Sequence, residues 1–95
     1  MKHIALMIAL ALALPSAAQA RCYAEYKAKQ DNPLRLHYGI IALDTAACPG
    51  PAAVSRTVAQ RLASGGWTLL NIVGLSEAPP SDQKKANAGD FYLRF

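Results

Sequence analysis

The sequence predicts an α+β domain: a small antiparallel sheet of about four strands in the order ββαββ, with one helix packed on one face. Three observations predict it. Apolar and polar side chains alternate over 22–29 and again over 34–43, the two-residue period of half-buried strands. Apolar residues recur with a helical period over 51–64. An apolar run then begins at Trp67, and a last alternating segment, 90–95, follows a polar stretch.

In the first segment Cys22, Ala24, Tyr26 and Ala28 point one way, and Tyr23, Glu25, Lys27 and Lys29 the other. Gln30-Asp31-Asn32-Pro33 is turn chemistry, so the second segment returns as a hairpin partner. There Leu34, Leu36, Tyr38, Ile40 and Ala42 share one face, while Arg35, His37 and Gly39 share the other, with Ile41 and Leu43 further on. Pro49, Gly50 and Pro51 rule out regular structure just before the helix, and Pro51 suits a first helical turn, where its missing N–H is not needed. Along 51–64, Val54, Val58 and Leu62 stack on one side, and Arg56, Thr57, Gln60, Arg61 and Ser64 gather on the other. Gly65 and Gly66 then stop the helix, with Gly65 expected in the left-handed conformation.

Trp67 opens the next strand and is expected to anchor the core at the sheet's end. TLLNIV is apolar on both faces apart from Asn71, which suits a covered strand or one paired at a partner surface. Residues 76–89 have no period and contain Pro79-Pro80, so a long loop is expected. Phe91, Leu93 and Phe95 alternate with Tyr92 and Arg94, the pattern of a fourth strand.

Residues 1–20 read as a cleavable signal peptide. Lys2 and His3 precede the apolar stretch 4–14, Pro15 and Ser16 break it, and Ala18 and Ala20 supply the small-x-small cleavage site. The stretch is shorter than the roughly 20 residues of a membrane span, so none is expected after cleavage; a retained N-terminal anchor is the alternative. Arg21 stands where lipidation of Cys22 would need a small residue. The address is therefore exported, periplasmic or secreted, with 21–95 as one small domain. Cys22 and Cys48 are its cysteines, and in an oxidising compartment they are expected to pair. Such a bond closes a loop of about 25 residues and contributes ~3 kcal/mol by chain entropy. Neither a CxxC spacing nor a second soft ligand beside His37 supports redox chemistry or a metal site, so no metal and no cofactor is expected.

Three stretches, Tyr23-Ala24-Glu25-Tyr26-Lys27, Arg61-Leu62-Ala63-Ser64-Gly65-Gly66-Trp67-Thr68-Leu69-Leu70 and Tyr92-Leu93-Arg94-Phe95, resemble a family of small bacterial domains of unknown function. Its signature is a Tyr-x-Tyr-Lys opening strand, a helix ending in Gly-Trp-Glu-Leu-Val, and a final strand ending Leu-x-Arg. Thr68 replaces the usual acidic residue, and the cysteines lie outside the pattern. The resemblance implies a helix on a small antiparallel sheet and carries no activity.

Ten basic residues against six acidic ones give a net charge of +4, a mild excess that does not point to nucleic acid. His37, Asp44, Ser55 and Asp90 are the side chains that could do acid, base or nucleophilic work, and no two fall in a catalytic motif. HExxH, a Gly-x-Ser-x-Gly elbow and a phosphate-cradling glycine loop are all missing, so no enzyme is expected. A helix covering one face of a sheet leaves the other for binding. Lys27, Arg35, His37, Tyr92 and Arg94 are the residues expected there, with Ile41, Leu70 and Ile72 as apolar neighbours. An apolar surface rimmed by basic residues fits a protein partner, an anionic envelope ligand or a homodimer. The alternative classes are a passive envelope component that self-associates through strand edges, and a basic surface that serves only solubility.

Overall fold

The computed structural model describes residues 21–95. The expected signal peptide, with its cleavage residues Ala18 and Ala20, lies outside the described residues. Strands β1 (Cys22–Gln30) and β2 (Arg35–Leu43) form the predicted hairpin. Helix α1 (Pro51–Ser64), strand β3 (Thr68–Ser76) and a short helix α2 (Asp82–Ala88) follow, and a 3-10 turn, Gly89–Phe91, leads into the tail. The sheet is antiparallel with the order β2-β1-β3.

The α+β class holds, but the sheet has three strands and the order is ββαβα. The predicted fourth strand is replaced by the 3-10 turn and one bridge, Ile40 with Tyr92, where Leu93 N–H donates to Ile40 O at 2.8 Å. The alternation of Phe91 and Phe95 is met by ring stacking instead of a ladder. Within the predicted loop, Ser81 caps α2: its hydroxyl accepts from Lys84 N–H at 3.2 Å, and Asp82 stands in the first turn. Two local cues, a cap and an acid, start a helix there without any apolar period.

The core lies between α1 and one face of the sheet. Cys22, Ala24, Tyr26, Ala28, Ile41, Leu43, Val54, Val58 and Leu62 form it, with Trp67, Leu69, Ile72, Leu75 and Phe95 packed at its margin. Fully burying one Val or Leu side chain stabilises by about 1.5–3 kcal/mol, so the Val54, Val58, Leu62 ridge is what docks the helix. Arg61 reinforces it by donating from Nη1 to Ala42 O at 2.9 Å. The Cys22–Cys48 disulfide forms, with Cα atoms 4.8 Å apart, and ties the start of β1 to the segment before α1.

Which face of β2 points inward is decided by Tyr26. In the register Tyr26 sits opposite Gly39, Ala28 opposite His37 and Ala24 opposite Ile41. Cross-strand partners share a face, so His37, Gly39, Ile41 and Leu43 turn toward α1. The Tyr26 ring lies where a side chain at Gly39 would be: any Cβ there would collide with its hydroxyl. Leu36, Tyr38 and Ile40 consequently face outward with Glu25 and Lys27.

At the end of α1 the conformational roles of the glycines differ from expectation. Gly66, at φ 85°, takes the left-handed region, whereas Gly65, at φ −99°, does not. Gly65 is needed for space instead, because the Phe95 ring lies against its Cα where a Cβ would clash. Trp67 N–H donates to Leu62 O at 2.9 Å and closes the helix end. No helix among the described residues is long and apolar enough to cross a membrane.

Candidate functional site

Two regions concentrate polar and aromatic side chains, one on each face. On the inner face His37 is boxed in. Its ring stacks on Phe91 with centroids 3.6 Å apart, meets Trp67 edge-on at 4.3 Å, and exchanges a 2.8 Å hydrogen bond with the Tyr26 hydroxyl through Nε2. Nδ1 is buried with no partner among the described residues. Burial lowers the His37 pKa below its ordinary value, and the Arg94 guanidinium adds to the effect. Burial also raises the Tyr26 hydroxyl to about 12. Arg94 itself lies over the rings of Phe91 and Phe95, at 5.7 and 5.9 Å.

The outer face is divided. Glu25 organises its upper half: Tyr38 Oη donates to Glu25 Oε1 at 2.9 Å, and Lys84 Nζ reaches Oε2 at 3.0 Å. Burial, together with that carboxylate, raises the Tyr38 hydroxyl to about 12. Lys84 belongs to α2, so this ion pair holds the helix across the sheet. Ile40 and Ala88 are buried on this side, apart from the main core. The lower half is bare. A hollow of about 320 Å³ is lined there by Lys27, Ala28, Leu36, His37, Tyr38 and Leu70. Leu36 is 65% exposed and Leu70 49%.

The structure therefore separates the residues expected to share a binding face. Lys27 and His37 both line the outer hollow, although the His37 ring packs on Phe91 and Trp67. His37 turns inward and is joined by Arg94, Arg35 stands exposed at the start of β2 opposite Gln30, and Tyr92 bridges β2 at Ile40 with Lys85 5.7 Å from its ring. Of the apolar neighbours, Leu70 is on the surface, while Ile41 is buried and Ile72 packs on the core. Trp67 packs on His37 and the core margin. Leu36 and Tyr38 were missed as surface residues because their alternate spacing reads equally well as an inner face. The signal that could have found them is Gly39, a gap that only the opposite Tyr26 ring fills.

Chemically, the inner cluster is a closed stack and the outer hollow an open apolar contact with one cation. Asp44 is exposed in the segment after β2, Ser55 lies on α1 and Asp90 is exposed in the 3-10 turn; none of them adjoins the His37 ring in the contacts above. Among the described residues no three His, Cys, Asp or Glu side chains gather where they could hold a metal ion. No family model, curated protein or solved structure matches the chain.

Proposed function

We propose that the protein is an exported binding module whose contact surface is the lower half of its outer sheet face. The observation that carries this reading is the pairing of Leu36 and Leu70, large and half or more exposed, around one hollow with Lys27 at its edge. Water contact with that much aliphatic surface is unfavourable, by roughly 25 cal/mol for each Å² that a partner would cover. Leu34, 64% exposed at the hairpin turn, adds apolar surface near the start of β2. Lys27 and Lys29 set the charge of the partner: an envelope protein presenting an apolar patch with an acidic border.

Export is supported by the Cys22–Cys48 bond, which belongs to an oxidising compartment, and by the N-terminal pattern of the sequence. Catalysis is less favoured, because the histidine is committed to Tyr26 and enclosed by Phe91 and Trp67.

A photoreactive side chain placed at position 36 in the native envelope tests the reading. It should capture a discrete protein that the same group at exposed position 44 does not, and Lys27→Glu should weaken that capture. Equal capture from both positions would remove this face from consideration.

A further inference from the structure

Among the described residues β3 has no strand on its far side, since the order is β2-β1-β3. Its nine residues, TLLNIVGLS, carry no charged side chain. Sheets normally guard such an edge with lysine, proline, bulges or a covering segment, because its free N–H and C=O groups invite another strand; among the described residues β3 has only the bulges. The register with β1 shifts twice, skipping Leu70 and Val73, and these two side chains stand about half exposed. Beside the edge runs a groove of about 450 Å³ between β3 and α1, lined by Ser55, Arg56, Ala59, Ala63, Trp67 and Leu69. Ser55, Ala59 and Ala63 recur every four residues, so they form one low ridge next to the buried Val54, Val58, Leu62 ridge.

We propose that the edge of β3 joins two copies of this chain, antiparallel, about a two-fold axis at Ile72. Two observations single out a second copy as the occupant. First, the strand complements itself in that register: Thr68 meets Ser76, Leu69 meets Leu75, Leu70 meets Gly74, Asn71 meets Val73, and Ile72 meets its mate. Second, the chain is basic, and two like-charged copies approach best where neither carries charge; β3 is such an edge, while the other edge strand, β2, starts at Arg35.

The result is a six-stranded sheet, an isologous contact. It goes beyond the outer-face reading and does not depend on it. Size-exclusion chromatography with light scattering on the oxidised protein tests it. The wild type should run at twice the chain mass, and Leu70→Lys with Val73→Lys should halve that mass while circular dichroism stays unchanged. Should that variant misfold, Ile72→Cys gives a second test: mild oxidation should link two chains through position 72, since the axis brings the two together. A monomeric wild type, a dimer that survives the double lysine variant in folded form, or no linkage at position 72 overturns the proposal. Leu36→Glu, on the outer face, should leave the dimer intact, so failure here and failure of the outer-face reading can be told apart.

Discussion

The two sides of β1 are built differently. On one, Cys22, Ala24, Tyr26 and Ala28 are wholly buried; on the other, Lys27 is exposed and Tyr23, Glu25 and Lys29 are half-buried. The inner side is closed by independent devices: the ridge of α1, the disulfide, and the rings of Phe91 and Phe95 around His37. The outer side is held over its upper half by α2 through one ion pair, and its lower half is open. Packing is thus concentrated on one side of the strand, and the proposed contact surface lies on the other. A small domain has too little interior to bury both faces of its sheet.

The largest expected difference between the sides is in packing. Leu62→Ala, on the inner side, should lower unfolding free energy by about 2–5 kcal/mol, whereas Leu36→Ala should change it by no more than about 0.5 kcal/mol. Urea denaturation of both variants measures this, and comparable losses would break the contrast.

Alkaline unfolding sharpens it. Tyr26 and Tyr38 both have folded-state pKa values raised to about 12 from the ordinary 10. A raised pKa means stability that is fully present below pH 10 and lost as pH climbs through 12. For Tyr26, wholly buried, the loss is on the order of 2–3 kcal/mol. For Tyr38 solvent screening makes it smaller. Thermal melts between pH 9 and pH 12 should therefore flatten more in Tyr26→Phe than in Tyr38→Phe.

The smallest effect is expected in acid. The folded-state pKa of His37 lies below its ordinary 6.5, so its contribution is present above that pH and declines as pH falls below it. Charging the ring would also set it against Arg94. NMR titration of the His37 ring should show protonation at lower pH than in a short peptide, together with chemical-shift changes in Phe91. A midpoint at the peptide value would mean the inner box is open to water.

Much of this fold was legible from local pattern. The hairpin, the extent of α1 and the Cys22–Cys48 pair follow from alternation, the Val54, Val58, Leu62 spacing and the oxidising context. What escaped depends on contacts between segments. β2 carries apolar residues on both faces, so only the fit of the Tyr26 ring over Gly39 orients it. α2 has no apolar stripe and rests on Ser81, Lys84 and Ala88. The tail has the alternation of a strand, yet its phenylalanines pack on a histidine. The outer hollow was half legible: Lys27 and Leu70 were expected on the surface, while Leu36 and Tyr38 waited on the orientation of β2.

The single bridge at Ile40 sets a limit on growth. Tyr92 and Leu93 occupy the middle of the β2 border, so among the described residues that margin is obstructed at its centre. A ribbon blocked there cannot be lengthened sideways from that margin by stacked strangers, and the tail thereby acts as a brake on fibre formation.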